Sequence, residues 1–383
     1  MPDEVSDRPT RVDVDLSAIA HNVREIRRLV GPSREIMAVV KADAYGHGAE
    51  QVSCVALNSG ATWLGVALVE EGIALRKSGI LAPILVLSAC FRQHARRAVR
   101  YGLATTVTSF EFAEAISLAA TQESRKAKVH IKVDTGMGRL GITPQEALGF
   151  IRRVERLPNV EIEGIFTHLA TADDDDPSFA MAQIRQFADV VRVLESNGIS
   201  IPYKHVANSA ALLRFPESYF NMVRPGIIIY GLSPFGFKSG PPDVHAKLNL
   251  RSALSFHTNV VFSKRVPAGF GISYGRTYVT PGETFIATIP VGYADGYMRA
   301  LSNKAQVLIR GQRFPVVGRI CMDQCMVDTG GTYVEPGEEV VIIGKQGTEE
   351  ITADEVAAWA GTIGYEVTCA ISKRVPRFYS NAV

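Results

Sequence analysis

The chemistry of this chain gathers first around Lys41. It follows the apolar run Met37-Ala-Val-Val40 and precedes Ala42-Asp-Ala-Tyr-Gly-His-Gly48. The run is rich in β-branched residues and predicts a buried strand. An ammonium at the end of such a strand loses hydration, so its neutral form becomes accessible. A neutral amine attacks carbonyl carbons and forms a Schiff base. The plain alternative is a lysine whose stem lies along the strand end while its head reaches water. Two further groups stand out. Tyr274 sits in Gly271-Ile-Ser-Tyr-Gly-Arg-Thr-Tyr278, a glycine-flanked loop. Arg224, before Pro225-Gly226, is a cation that can only donate hydrogen bonds.

The elements that must position these residues follow a rhythm. Arg11 to Leu16 alternates charged and apolar residues and predicts a strand, and Ser17 is a good helix cap. From Met37–Val40 onward, short apolar strands alternate with helices. The predicted strands are 63–67, 83–87, 104–107, 129–133, 162–169, 205–207 and 223–230, the last interrupted by Pro225-Gly226. The helices are 70–77, 92–100, 109–120, 144–156, 177–197 and 209–213. Eight strand–helix units predict an α/β fold with a closed (β/α)8 barrel, with an open doubly wound sheet as the alternative. Barrels place their chemistry at strand C-terminal ends, and Lys41, His168, Asn208 and Arg224 fall there. Residues 233–243 are a Pro/Gly-rich breaker cluster and read as a linker. Beyond it, strands at 254–266, 284–289, 305–309, 314–317, 325–327 and 339–343, with one clear helix at 352–360, predict a mostly β domain. The layout is a flexible N-terminus over 1–10, a strand at 11–16 joining the β domain, a barrel over 17–235 and a β domain over 244–383.

Composition narrows the classes. The 383 residues carry a formal charge of +2 with no long basic run, which gives no nucleic-acid footprint. No run of 18 apolar residues predicts a membrane span. The N-terminus is polar and lacks an apolar signal core, so a cytoplasmic location is the expectation. Cys54, Cys90, Cys321, Cys325 and Cys369 are scattered and odd in number, which suits reduced thiols. Cys321 and Cys325 lack the further ligands of a zinc site, and no metal is expected. The run Asp173–Asp176 reads as a solvated loop.

The Lys41 stretch resembles the pyridoxal-phosphate lysine motif of alanine racemases. The resemblance extends through His130-Ile-Lys-Val-Asp-Thr-Gly-Met-Gly-Arg139, Thr167-His168, Asn208-Ser-Ala210, Arg224-Pro-Gly-Ile227, the Tyr274 loop, Val291-Gly-Tyr-Ala-Asp-Gly-Tyr297 and Gly318-Arg-Ile-Cys-Met-Asp-Gln324, in family order from about Arg11 to Tyr379. It implies pyridoxal 5'-phosphate as cofactor, joined to Lys41. Tyr45, Asn208, Ser209, Gly226, Ile227 and Tyr365 match positions that hold its phosphate. Arg224 matches the arginine facing the pyridine nitrogen, with His168 packed nearby and hydrogen-bonded to it. Arg139 matches the arginine near the cofactor phenolic oxygen and the substrate carboxylate. Lys132 matches a lysine that many members carbamylate. Tyr293 resembles a gate, and Met322 and Asp323 resemble contacts to the substrate carboxylate region. Racemisation needs acid–base groups on both faces of a planar carbon, and the resemblance assigns them to Lys41 and Tyr274. A phenol would need its pKa lowered from about 10 to serve as that base.

What the resemblance implies overall is interconversion of L- and D-alanine, supply of D-alanine for a bacterial cell wall, and a homodimer with composite active sites. A racemase of broader specificity, or one acting on serine or lysine, stays open, because a methylene is worth only ~1–3 kcal/mol of discrimination. The related decarboxylases carry a carboxylate opposite the ring nitrogen, which Arg224 argues against. A non-catalytic pyridoxal-phosphate carrier is the alternative from another class. Its members typically end with the barrel, whereas this chain continues through Tyr274.

Overall fold

The computed structural model describes residues 8–236 and 248–381. Most of the expected linker 233–243 lies outside them, as do residues 1–7 of the expected flexible tail. The last residues of that tail are tied down: Arg8 pairs with the buried Asp295 at 2.6 Å, and the Thr10 hydroxyl donates to Pro290 O at 2.8 Å.

The described residues form two compact units. The first is a closed parallel barrel of β2 (Glu35–Val39), β3 (Trp63–Val66), β4 (Ile84–Ala89), β5 (Ala104–Val107), β6 (Ala127–Lys132), β7 (Val160–Phe166), β8 (Tyr203–His205) and β9 (Met222–Val223). Helices connect them, among them Ala49–Asn58, Val69–Lys77, Phe110–Gln122 and Ser178–Ser196. The strands are largely buried on both faces, as in a parallel sheet covered by helices: every residue of β3 and β5 is buried. Met37, Trp63, Leu85, Ala104 and Met222 fill part of the interior, with Leu87 and Tyr203 packed against them.

The last barrel strand is shorter than expected. It ends at Val223 instead of running to Tyr230, because Pro225 offers no N–H to a ladder. The chain turns instead into a 3-10 helix, Ile227–Tyr230. It still closes the barrel: Val39 N donates to Pro225 O at 3.0 Å, and the buried Tyr230 hydroxyl donates to Val39 O at 2.9 Å. The helix expected over 144–156 is shorter too, at Ala147–Val154.

The second unit takes in the chain up to Ala18, residues Tyr45–Gly48 and the chain from Ser252. Its sheet runs β11-β14-β17-β16-β15-β18-β10-β1-β20, with β19 on β18. These strands are β1 (Arg11–Asp15), β10 (Leu254–Asn259), β11 (Phe262–Val266), β14 (Thr284–Ile289), β15 (Gln306–Ile309), β16 (Gln312–Val317), β17 (Cys325–Gly330), β18 (Glu339–Gln346), β19 (Glu349–Ile351) and β20 (Arg377–Ser380). A small hairpin, β12 (Gly271–Ile272) and β13 (Tyr278–Val279), carries the Tyr274 loop. β1 pairs antiparallel with β10 and parallel with β20.

Two expectations for this unit need correction. The single strand over 254–266 breaks in two, because Val260 N bonds Glu338 O and Val261 N bonds Thr288 O, so the chain changes neighbours from β18 to β14. A second helix follows Ala353–Ala360, at Gly364–Ala370, with no side-chain cap at Ile363 to announce it.

Asp15, not Ser17, caps the helix Leu16–Val30. Its Oδ1 accepts from Ser17 N at 2.9 Å, Ser17 Oγ at 2.7 Å and Ala18 N at 3.3 Å. Asp15→Ala should therefore destabilise by about 1 kcal/mol, and Ser17→Ala by clearly less. Thermal denaturation of both variants checks the order.

Candidate active site

Lys41 is half-buried immediately past β2, where Val40 N donates to Gly65 O. The backbone after it does something the sequence did not announce. Ala42, Asp43, Ala44 and Tyr45 all lie in the left-handed region, with φ between 52° and 54°. Such geometry costs roughly 1–2 kcal/mol per residue outside glycine, so it persists only where the surroundings fix it. Carboxylates do so here. Glu71 accepts from Ala42 N at 2.7 Å through one oxygen, and from Ala67 N and Leu68 N through the other. Asp43 Oδ1 accepts from Ala49 N at 2.8 Å. The left-handed turn follows directly on Lys41.

Arg224 is fully enclosed at 4% exposure. Its backbone N–H bonds Ala207 O. The guanidinium donates to Thr167 O at 2.8 Å, Val206 O at 3.0 Å, His205 Nδ1 at 2.9 Å and His168 Nδ1 at 3.4 Å. None of these partners is a carboxylate. Burial pulls its pKa down to about 9, which leaves it cationic at neutral pH. His168 is held well below its usual range by burial, then by the charges of Arg224, Lys132, Arg139 and Lys41, so it is neutral. The charges of Lys41, Lys132, Arg139 and Arg224 are thus all felt at His168, with Arg224 in direct contact. His205 belongs with them and sequence reasoning missed it; it was one residue of a short strand with no motif around it.

Lys132, the last residue of β6, is 5% exposed, and its Nζ has no hydrogen-bond partner. The ring of Phe166 lies 4.9 Å below it. Burial, then the charge of Arg224, drives its pKa well down, while Asp134 opposes. Arg139 is exposed, on a loop tied by Asp134 Oδ1 to the N–H groups of Gly136, Met137 and Gly138. The loops after β8 and β9 meet where the Ser209 hydroxyl accepts from Gly226 N at 2.8 Å. Ser209 is the first residue of the helix Ser209–Arg214, and the cap is Asn208, whose Oδ1 accepts from Ala211 N. Gly226 and Ile227 are buried beside it.

The β unit carries the remaining candidates. Tyr45 and Tyr365 stack tilted, their rings 5.9 Å apart. Gly46 makes that approach possible: its φ is +84°, and a Cβ there would lie 2.3 Å from Thr368 O. Tyr274 is 72% exposed. Its loop has Ser273 and Arg276 at positive φ, and the Ser273 hydroxyl donates to Arg319 O at 2.6 Å. Tyr293 N donates to Cys321 O and Ala294 N to Met322 O, which fixes the Tyr293 and Met322 loops to each other. Asp323 pairs with Arg374, which also bonds the buried Asp295 at 2.7 Å.

The barrel with a charged mouth at its strand ends, followed by a β domain presenting tyrosines, defines a class of enzyme, and comparison with known proteins places the chain within it. A model of the alanine racemase N-terminal domain matches residues 14–234, and one of the C-terminal domain matches 253–379. An alanine racemase of Desulforamulus reducens is 48% identical over 97% of this chain and 99% of its own length. The crystal structure of alanine racemase from E. faecalis superposes with a TM-score of 0.92 at 42% identity, covering 98% of this chain and 99% of the other. That of the Bacillus anthracis enzyme with bound L-Ala-P gives 0.91 at 43%, covering 98% and 95%. The chain belongs to the alanine racemase family and is an isomerase.

A buried amine without a partner is a stability defect of about 1–3 kcal/mol. Between the depressed native pKa of Lys132 and the ordinary lysine value of 10.5, the unfolded chain binds a proton that the native chain does not, so this contribution to stability rises with pH. In carbon-dioxide-free buffer, Lys132→Met should raise the thermal midpoint at neutral pH and flatten its rise toward alkaline pH, as calorimetry over that range would read.

Proposed function

We propose that the chain racemises alanine with pyridoxal 5'-phosphate and two bases, Lys41 and Tyr274. The observation that carries this reading is the enclosed Arg224, a cation held only by neutral acceptors where Lys41, Lys132 and Arg139 also converge. Such a mouth calls for an anionic guest with acceptor atoms. The cofactor's phosphate and phenolic oxygen supply the charge, and its ring nitrogen supplies an acceptor for Arg224. Ser209, Gly226 and Ile227, with Asn208 fixing the helix start, would take the phosphate, together with Tyr45 and Tyr365. The bound cofactor would supply an electron-withdrawing ring that acidifies the substrate's Cα–H.

The rest is the work of the chain. Arg224 donates and cannot itself be drained of its proton near neutrality, so it keeps the ring nitrogen unprotonated and limits electron withdrawal. That favours return of the proton to the same carbon, which is racemisation. Tyr274 Oη takes the proton from L-alanine and Lys41 Nζ takes it from D-alanine, one on each face. Arg139 orients the substrate carboxylate, with Met322 and Asp323 beside it and Tyr293 narrowing access. Carbamylation of Lys132 would place an anion among Arg139 and Arg224 and satisfy the amine that now lacks a partner.

Tyr274 is proposed to act on the barrel of a second subunit in a homodimer. The β unit leaves Tyr274, Met322 and Tyr293 exposed at 72%, 53% and 42%, open to a partner. Among the described residues no helix is long and apolar enough to cross a membrane. The free cysteines suit a reducing, cytoplasmic setting, and D-alanine supply for the cell wall is the role the family resemblance carries.

Borohydride treatment should leave the cofactor's mass on the peptide containing Lys41, and Lys41→Ala should abolish racemisation in both directions. Label on another lysine would sink the assignment. Mixing Lys41→Ala with Tyr274→Phe after dissociation should restore activity. With random pairing about half of the dimers are mixed, so roughly a quarter of all sites recover. Activity that stays at background at every mixing ratio would place both bases in one chain. A panel of amino acids, assayed by chiral chromatography, should show alanine turned over fastest.

A further inference from the structure

Behind Arg224, a line of buried polar side chains crosses the barrel interior, and the proposed reaction uses none of them directly. Arg224 Nη1 lies 2.9 Å from His205 Nδ1. His205 Nε2 lies 2.8 Å from His130 Nδ1. His130 Nε2 faces Glu163 Oε2 at 3.6 Å, an ion-pair contact just outside hydrogen-bond length, and neither atom has another hydrogen-bond partner. Glu163 Oε1 accepts from Lys128 Nζ at 2.6 Å, and Lys128 is half-exposed. Both histidines are 0% exposed and Glu163 is 5% exposed.

The direction of this line is forced. A guanidinium has no acceptor, so His205 Nδ1 must accept. The proton of a neutral His205 then sits on Nε2 and is donated to His130 Nδ1. The proton of His130 is left on its own Nε2, aimed at Glu163. Both rings must be neutral for this to hold. Burial lowers the pKa of His205 well below the usual range, and the neighbouring Arg224 cation acts in the same direction. Burial also lowers that of His130, although Glu163 opposes; Arg224 and Lys128 work with burial. Glu163 stays ionised: burial raises its pKa, but His130 and Lys128 together lower it further.

The backbone is shaped for this arrangement. The β6–β7 register shifts between Val129 and His130, so that His130 pairs with Gly164. A Cβ on Gly164 would stand 2.1 Å from His130 Nδ1. The missing side chain next to Glu163 is what leaves room for the His130 ring against the backbone of Gly164. The rings are also clamped: His205 stacks on Phe166 at 4.7 Å, and His130 meets Trp63 edge-on at 5.4 Å.

We propose that Glu163 is a positioning residue: its carboxylate ends a one-way series of donors, Arg224 to His205 to His130, and thereby fixes the ring tautomers that hold the Arg224 guanidinium in the barrel mouth. Its effect on turnover rests on the reading of Arg224 given above, whereas the tautomer order can be read independently of turnover. It touches neither substrate nor cofactor and acts through three intervening groups.

The test is nitrogen NMR of the protein with its cofactor, labelled with [15N]histidine and assigned by single His→Gln variants. In the unaltered protein His205 and His130 should both carry the proton on Nε2 and present an unprotonated Nδ1. A proton on Nδ1 of either ring, or a doubly protonated ring, overturns the proposal without reference to activity. In Glu163→Leu the His130 Nε2–H signal should broaden or vanish. Its kcat should fall by roughly tenfold to a hundredfold, as when an orienting outer residue is removed, with KM within about threefold. Glu163→Gln keeps an acceptor oxygen and should restore both the signal and most of kcat. Wild-type kcat in Glu163→Leu, or a Glu163→Gln as impaired as Glu163→Leu, overturns the proposal. Should Glu163→Leu fail to fold, the tautomers of the unaltered protein together with Glu163→Gln decide it.

Discussion

A cation buried without a counter-ion is the constraint on which the barrel's arrangement depends. Arg224 is enclosed, yet its partners are two carbonyls and two imidazole nitrogens. Burying an uncompensated charge is costly, and pairing it with a carboxylate at once would be the ordinary remedy. The structure instead spreads the compensation. Backbone dipoles from the strand ends at Thr167 and Val206 take part of it, the face of Phe166 lies 5.4 Å away, and neutral histidines take the rest. The guanidinium is left held but electrostatically unspent, which is what an arginine needs if it is to meet a neutral acceptor on a guest molecule instead of being consumed by its own protein.

The same economy of anions explains the environment of Lys132. A second cation near Arg224 cannot stay charged without an anion between them, so burial and mutual repulsion push the amine toward its neutral form. A neutral amine in a cationic pocket is a nucleophile for small electrophiles, and the product of such a reaction would itself be the missing anion. On the β unit the pattern reverses. Asp295 is a buried anion met by Arg8 and Arg374, and it also accepts from Gly292 N, so the loops carrying Tyr293 and Asp323 are hung from one carboxylate.

Much of this was legible in the residues. Apolar β-branched runs such as Ala104–Val107 and Thr284–Ile289 are the observed strands, and the alternation of strands and helices is the barrel. The candidates Lys41, His168, Asn208, Ser209 and Arg224 were found by their position at strand ends and by motif. What escaped was set by partners distant in sequence. Apart from Asp43, a residue type that tolerates it, nothing in Ala42-Asp-Ala-Tyr45 favours the left-handed region; Glu71 helps to impose it from 29 residues away. The break at Val260-Val261 has no breaker residue, because it comes from an exchange of neighbouring strands. His205 carries no local signal, since its importance lies in the two side chains it joins. The cap at Asp15 shows a finer limit: two good capping residues stood two apart, and only the backbone decides which one reaches the free amides.

The staples of the lysine turn also bear on the order in which this protein can be built. Glu71, Asp43 and Val40, which bond the turn's amides and the amide of Ala49 just after it, all lie early in the chain. Closure of the barrel, by contrast, waits for Glu35 to pair with Met222. Short-range contacts form before long-range ones can repay their loop entropy. On a ribosome the strained turn can therefore be in place while the final strands are still unmade, and the growing barrel closes around a lysine already presented.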